Sequence, residues 1–215
     1  MTRKPVHLPR WLAGRVCVID LLPESWGTPY HGAPVILSYR EGFFEDRSEM
    51  TWISEVRLRR GHLEESLDDG GHPHLTVNDS LFRDLMPAGR AMPLILAGYH
   101  MSLLRTVMGG LHDHPPFTLC LYRCIRQVYP WASDFGLQLA ALELVPHNIR
   151  RMTQPGPLAR QACAETLLDV LLKKAPVNRL VALSCVTVPP PPVEEPLSAM
   201  SGWRRMASDD VFIAD

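Results

Sequence analysis

Residues 92–145 read MPLILAGYHMSLLRTVMGGLHDHPPFTLCLYRCIRQVYPWASDFGLQLAALELV, the longest region in which apolar residues keep a helical period. Apolar residues recur there at intervals of three and four, which is the spacing of one helix face. Pro93 suits the first position of a helix, and Gly109 with Gly110 suits a helix end. The stretch therefore predicts a helical centre, around which the rest of the chain should pack.

Three helices are expected within this stretch, at residues 93–109, 115–128 and 133–145. The third is apolar on nearly all sides, so we predict that it is the most buried of the three. Its Leu142 should then be fully enclosed. Arg123, in contrast, falls on the polar face of the preceding helix and should be a surface residue.

The composition is that of an ordinary globular protein, with 46% hydrophobic and 21% charged residues among 215. A formal net charge of −1 favours neither bulk nucleic-acid binding nor attraction to a membrane surface. The five cysteines are odd in number and scattered, which is typical of reduced thiols. No signal peptide and no membrane span is apparent, so we expect a cytoplasmic or nuclear protein that is neither secreted nor transmembrane.

Strand patterns precede the helical centre. Residues 15–22 and 34–40 are short, apolar and β-branched, and residues 49–60 alternate between apolar and polar side chains. Residues 61–79 are polar and contain the turn sequence Asp-Asp-Gly-Gly, which predicts a connection without regular structure. A short helix is expected at residues 80–86, capped by Asn78 or Asp79.

Two further elements follow the centre. Residues 157–174 predict a fourth long helix that opens on Pro157. The short apolar run 179–188 ends in β-branched residues and favours a strand over a buried helical turn. Residues 189–215 combine a proline run with acidic and small polar residues, a composition typical of a disordered tail.

These elements predict an α+β fold, in which a short N-terminal β region of about three strands packs on a central bundle of about four helices. The organisation would be a β-rich part at 1–60, a polar connection at 61–79, a helical core with a possible final strand at 80–188, and a disordered Pro-rich acidic tail at 189–215.

Histidine supplies one candidate site. His72 and His74 form one His-x-His pair, His112 and His114 form another, and His100 lies between the pairs in sequence. Imidazole is a good ligand for zinc and other transition metals, so the two pairs could hold a metal ion in a metal-dependent enzyme. The alternative is that the pairs are surface composition in Pro- and Gly-rich loops and that His100 is a core histidine. On that interpretation the protein has no metal and no cofactor.

Other catalytic arrangements are missing from the sequence. No serine has the Gly-x-Ser-x-Gly context of a nucleophile elbow, and Gly109 and Gly110 end a predicted helix where a phosphate loop would begin one. Cys124 lies beside apolar neighbours, which is typical of a small core residue. We therefore expect no catalytic residues and a protein that is not an enzyme.

The tail supplies a second candidate site, for a protein partner. Its prolines favour the extended polyproline II conformation, and its end combines aromatic with acidic residues, as short recognition motifs do. The candidate partner-binding residues are Pro189, Pro190, Pro191, Pro192, Trp203, Asp209, Asp210 and Phe212. The alternative is a solubilising tail that binds nothing.

Both ends of the chain resemble the non-structural protein NSs of phleboviruses. In the tail the resemblance rests on the order of the proline run, Glu194-Glu195, Trp203 and the ending Asp209-Asp210-Val211-Phe212. Near the N-terminus it rests on Pro5-Val6, Gly14-Arg15-Val16, Pro29-Tyr30 and Glu55-Val56-Arg57-Leu58. The sequence departs from the family at Ile213 and Ala214, which separate Phe212 from the next acidic residue, and the helical middle does not align.

The resemblance implies a non-enzymatic viral accessory factor that antagonises host interferon induction or host transcription. Its partners would be host proteins of the transcription or innate immune machinery, reached in the cytoplasm or nucleus of the host cell. No specific nucleic acid and no membrane would be bound, and a homo-oligomer is possible. The alternative function is a metal-dependent enzyme or metal-binding protein that uses the four paired histidines.

Overall fold

The computed structural model describes residues 14–24, 30–44, 50–67, 71–86, 91–132, 136–145 and 156–186. These residues form one mixed sheet with helices on both of its faces. The strands are β1 (Gly14–Pro23), β2 (Pro34–Phe44), β3 (Met50–Trp52), β4 (Arg57–Leu67), β5 (Pro73–Val77), β6 (Ile95–Gly98) and β7 (Phe117–Cys120). The helices are α1 (Asp79–Arg83), α2 (Met101–Gly109), α3 (Leu121–Val128), α4 (Leu137–Leu144), α5 (Pro157–Leu172) and α6 (Val177–Ser184).

The strand order is β5-β4-β2-β1-β6-β7, and β3 pairs with the end of β2. Strands β1, β2, β4 and β5 are joined by antiparallel pairing, whereas β6 is parallel to β1 and β7 is parallel to β6. Strand β1 lies in the middle, and its side chains from Val16 to Ile19 have no exposed surface. A central strand that is covered on both faces consists of a continuous run of apolar residues. This run is the reason that β1 could be predicted from the sequence.

Two sets of helices cover the sheet. On one face, the Leu81 side chain of α1 lies against Gly61, and those of Leu103 and Leu104 in α2 lie against Gly98. On the opposite face, α5 packs on β1 and β2, and α6 packs on β7. The core therefore has two layers, one on each side of the sheet.

The prediction of a helical bundle with about three N-terminal strands is wrong. The sheet is the centre of the fold, and two of its strands lie inside the stretch that was read as helical. Residues 93–109 contain β6 followed by α2, and residues 115–128 contain β7 followed by α3. Each strand has four residues, which is too short to interrupt a helical period, and a buried strand has no polar alternation that would reveal it.

Other element predictions are also corrected. Residues 61–79 hold most of β4 and all of β5, although they were predicted to be a polar connection. Strand β4 carries many exposed polar side chains because it lies near the edge of the sheet, and this composition resembles a loop. The expected final strand at 179–188 is helix α6. The domain boundaries drawn at these points stay a prediction.

Two helix predictions are confirmed. Helix α1 begins after Asn78, whose side chain accepts a hydrogen bond from the backbone N–H of Ser80. Helix α5 begins at Pro157, as its sequence indicates. Among the described residues, no helix has the length and apolar character that crossing a membrane requires.

Two burial predictions are reversed. Leu142 is only partly buried, because α4 packs mainly through Leu137, Ala140 and Ala141. Arg123 is buried, and its Nη1 donates a hydrogen bond to the backbone oxygen of Ser184 at 3.2 Å. The helix that was predicted to be central therefore lies at the periphery, and the predicted surface arginine holds the end of α6.

Candidate functional site

The parallel strands β1, β6 and β7 end at the same edge of the sheet, which we call the carboxyl edge. From β1 the chain continues through β2, β4 and β5 on one side, whereas β6 and β7 extend the sheet on the other. The strand order thus reverses between β1 and β6. In α/β sheets, ligands commonly bind at the carboxyl ends of the parallel strands.

An acidic residue near the end of β1 is held by an arginine from α5. Arg160 Nε lies 2.6 Å from Asp20 Oδ2, and Arg160 Nη2 lies 2.9 Å from Asp20 Oδ1. The Asp20 side chain is 1% exposed and that of Arg160 is 11% exposed. A two-point pair of this kind fixes the plane of the guanidinium as well as its position.

The next residue of α5 fixes the helix against the sheet. Gln161 Nε2 donates to the backbone oxygen of Val18 at 3.0 Å, and Ser38 Oγ donates to Gln161 Oε1 at 2.7 Å. Ser38 and Gln161 are both buried. Since these bonds connect α5 to both β1 and β2, they set the register that brings Arg160 to Asp20.

A second ion pair lies farther along α5. Arg40 Nη1 lies 2.5 Å from Glu165 Oε2, and the Arg40 guanidinium stacks on the Trp52 ring at 4.6 Å from the centroid. Burial raises the pKa of Glu165 even though Arg40 opposes this change. Burial also raises the pKa of Asp169 to about 6. The contact between α5 and the sheet therefore includes a polar seam, formed by Arg160, Gln161 and Glu165.

His100 lies at the carboxyl edge, where it is the N-cap residue of α2. Its ring packs against Tyr99 and Tyr122, with centroid distances of 4.4 and 5.0 Å, and the residue is 7% exposed. The imidazole caps no backbone N–H of α2. Burial, and then the positive charge of Arg160, lower the pKa of His100 to about 3. The ring is therefore neutral at physiological pH.

Three helices begin near this edge. Helices α2 and α3 follow directly on β6 and β7, and the first turn of α5 supplies Arg160. None of the three has an acidic residue in its first turn or a side chain that caps its N-terminus. Because the N-terminus of a helix carries unpaired N–H groups and partial positive charge, the edge favours a negatively charged group.

The structure brings only one of the predicted site residues to this place. His72, His74, His112 and His114 are all described, and the described residues contain no group of three or more His, Cys, Asp or Glu side chains placed to hold a metal ion. The backbone N–H of His112 donates to Asp79, and Asp113 pairs with Arg83. His100, which the sequence offered as an addition to those pairs, lies at the carboxyl edge. The predicted partner-binding residues from Pro189 to Phe212 lie outside the described residues.

Sequence reasoning missed Asp20, Arg160 and Gln161. A signal for Asp20 was present, since it is the one acidic residue inside the apolar run VCVIDLL. A charged residue at a buried strand position needs a partner, and this could have prompted a search for one. Nothing in the sequence indicated that the partner is 140 positions away.

Comparisons with known proteins give little. No family model matches the chain, and no curated protein matches it. Among solved structures the chain is similar to exonuclease X in complex with 5′ overhanging duplex DNA, at 12% identity and a TM-score of 0.39, over 78% of this chain and 97% of that one. At this level the likeness assigns neither a fold nor an activity to the chain.

These findings overturn the resemblance to phlebovirus NSs, because no family model and no curated protein supports it. The expectations that depended on it fall with it: a non-enzymatic viral accessory factor, interferon antagonism through host proteins, and the exclusion of nucleic acid. The physical reason lies in the short motifs. Gly14-Arg15-Val16 is the start of the central strand, and Glu55-Val56-Arg57-Leu58 leads into β4, so both have ordinary strand composition.

Proposed function

We propose that the protein binds a phosphate-bearing ligand at the carboxyl edge of the sheet, between His100, Arg160 and the first turn of α2. The observation that carries this proposal is the position of the His100 imidazole, which is 7% exposed and lies at the N-terminus of α2, on the edge that also holds Arg160.

The chemistry of the neighbours supports an anion. A neutral imidazole offers one N–H donor, the guanidinium offers several, and the N-terminus of α2 adds backbone N–H groups. Phosphate oxygens accept hydrogen bonds from all three kinds of donor. The place also agrees with the general position of ligands in α/β sheets, at the carboxyl ends of parallel strands.

The pairing of Asp20 with Arg160 has a defined role in this proposal. Because the guanidinium balances the carboxylate, the edge does not present an isolated negative charge to the ligand. Asp20 orients the guanidinium, and Gln161 fixes α5 so that this orientation is kept. Asp20 and Gln161 are thus positioning residues, whereas His100 and Arg160 contact the ligand.

The test is a binding measurement on the full chain with three probes: inorganic pyrophosphate, ATP and a single-stranded DNA 12-mer. Isothermal titration at low salt should give saturable binding of at least one probe. The variant His100→Phe keeps an aromatic ring between Tyr99 and Tyr122 but removes both nitrogens. We expect it to weaken binding by about tenfold, the equivalent of one lost hydrogen bond of about 1.4 kcal/mol.

The matched control is His62→Phe, which makes the same chemical change at an exposed position on β4. It should leave binding unchanged. If His100→Phe binds all three probes as tightly as the unaltered chain, or if none of the probes binds, the proposal is wrong. Comparison of the probes then identifies the ligand class, since a site for nucleic acid prefers the 12-mer and a site for a small molecule prefers ATP or pyrophosphate.

We also propose that the protein works in a reducing compartment inside the cell. All five cysteines are free thiols, and four of them are buried. Burial raises the pKa of Cys163 to about 12 and raises that of Cys124 further. The buried thiols are thus kept in their unreactive form, while the exposed Cys185 depends on a reducing environment.

A further inference from the structure

We propose that helix α6 is a detachable cover over the free edge of β7, and that the uncovered edge pairs with β7 of a second copy of the chain. Neither step involves the ligand of the carboxyl edge. The observation behind both is the contact of Ser184, the last residue of α6, with the backbone of β7.

Strand β7 ends the sheet in the part of the chain that the structure describes. Its inner side is bonded to β6, and at its start the backbone N–H of Phe117 donates to the Leu94 oxygen at 3.1 Å. The backbone groups of alternate residues in a strand point to opposite sides, so Thr118 and Cys120 present theirs to the outside. An outer row of this kind is a template for pairing with another strand.

The Ser184 side chain occupies this outer row. Its Oγ accepts a hydrogen bond from the backbone N–H of Cys120 at 2.7 Å, and it lies 3.4 Å from the backbone oxygen of Thr118. One hydroxyl group therefore lies where the N–H and C=O groups of a neighbouring strand would be. Ser184 is 1% exposed, so the contact is enclosed.

Further contacts that hold α6 come from α3. Arg123 Nη1 donates to the backbone oxygen of Ser184 at 3.2 Å. Gln127 Nε2 donates to that of Leu183 at 2.9 Å, and Leu180 adds apolar burial. A helix of eight residues is unstable by itself, so α6 depends on these contacts. Its detachment breaks no pairing between strands of the sheet.

The two edges of the sheet are protected in different ways. Strand β5 begins with Pro73, which has no N–H group, and proline on an edge strand discourages pairing. Strand β7 reads FTLC and has neither a proline nor a charge. Phenylalanine and threonine are enriched in strands. Without α6, β7 is therefore an edge of the kind that pairs with other chains.

A second copy of β7 fits the uncovered edge. The outer row holds a donor at Cys120 and an acceptor at Thr118, two positions apart. When two such strands run antiparallel about a two-fold axis at Leu119, the Cys120 N–H of each copy faces the Thr118 oxygen of the other. The edge is therefore self-complementary, and pairing replaces the hydrogen bond to Ser184 in both copies.

Sedimentation velocity of the full chain over a concentration series tests this pairing. Ser184→Ala removes only the hydroxyl group, and we expect α6 to open about tenfold more often, the equivalent of one lost hydrogen bond. Because both copies must open, the apparent Kd of the dimer should fall about a hundredfold. The matched control, Ser66→Ala on β4, should leave this Kd unchanged. An equal Kd in Ser184→Ala and the unaltered chain would overturn the inference.

A second variant asks whether β7 forms the interface. Thr118→Pro removes an N–H group that points away from β6, so the strand keeps its place in the sheet but loses a donor for pairing. Ser184→Ala/Thr118→Pro should keep the circular dichroism of the unaltered chain and stay monomeric. If this double variant dimerises like Ser184→Ala, the copies meet elsewhere and the inference is wrong.

A third measurement uses the unaltered chain and needs no dimer. When α6 opens by itself, the Cys120 amide is released, whereas the Leu119 amide faces β6 and stays bonded. After correction for intrinsic rates, hydrogen exchange at Cys120 should be at least about tenfold faster than at Leu119. Equal rates would mean that both amides are released together, and α6 would then not be a detachable cover.

Discussion

Helices α5 and α2 cover opposite faces of the same sheet, and they do so with different chemistry. Helix α2 packs through apolar side chains, and the absence of a side chain at Gly98 lets Leu103 and Leu104 approach the strand closely. Helix α5 uses apolar residues farther along its length, but it meets β1 and β2 through Arg160, Gln161 and Glu165.

The contrast separates stability from specificity. An apolar interface gains free energy from burial and tolerates small shifts, because dispersion contacts have no direction. A buried polar seam gains little net free energy, since desolvation offsets much of the attraction. It does, however, accept one register, because each donor must meet its own acceptor. The candidate site lies where this polar seam reaches the carboxyl edge.

The largest expected effect comes from breaking the seam at its ion pair. Asp20→Ala leaves the Arg160 guanidinium enclosed without its carboxylate, so the free energy of unfolding should fall by about 3–5 kcal/mol. Leu104→Ala on the other face should cost about 2–5 kcal/mol through lost burial and a cavity. Urea denaturation measures both.

Replacing the whole pair sharpens this comparison. Asp20→Leu/Arg160→Met should recover most of the loss, since an apolar pair needs no desolvation of charge. The same double variant should lose pyrophosphate binding. If the double variant is as unstable as Asp20→Ala, the attraction within the ion pair stabilises the fold by more than the desolvation of its two charges costs.

A smaller effect is expected at Arg123, which contacts the end of α6 on the face of the sheet that α5 also covers. Arg123→Ala removes a charge-assisted hydrogen bond to the last carbonyl group of α6, which should cost about 1.5–3 kcal/mol. Leu142→Ala in α4 should cost less than a fully enclosed leucine, because Leu142 is only partly buried. Thermal unfolding of the two variants shows which of them loses more stability. A loss of less than about 0.5 kcal/mol in Arg123→Ala would indicate that Arg123 is a surface residue.

The pH dependence of stability tests the neutral state of His100. Its pKa is lowered from 6.5 to about 3 in the folded chain, so between these values the unfolded chain binds a proton that the folded chain does not. Stability is therefore complete above pH 6.5 and is lost as the pH falls. At pH 5 the loss from this group is about 2 kcal/mol. His100→Phe should remove that part of the acid sensitivity in denaturation measured at pH 7 and pH 5. An identical pH dependence in the two chains would show that the fold does not lower the pKa of His100.

The smallest effect is expected at an exposed ion pair away from both interfaces. Arg59 Nη2 lies 2.9 Å from Asp84 Oδ2, and the two side chains are 57% and 51% exposed. Arg59→Ala should change the free energy of unfolding by less than about 0.5 kcal/mol, because water screens the pair. A larger loss in urea denaturation would mean that α1 depends on this pair to stay on β4.

The sequence by itself determined the elements whose signals are local. Strands β1 and β2 follow from apolar β-branched runs, α1 follows from its Asn78 cap, and α5 follows from Pro157 and its long apolar pattern. In each case the residues that define the element lie within the element itself.

Only the tertiary structure decided what β6 and β7 are and where the site lies. An apolar segment of four residues forms a strand when a parallel neighbour supplies its hydrogen bonds. The neighbour of β6 is β1, which lies about 80 positions earlier in the chain, and the neighbour of β7 is β6. The pairing of Asp20 with Arg160 is equally remote. The carboxyl edge therefore exists only after the sheet has formed, because contacts between distant residues bring its parts together.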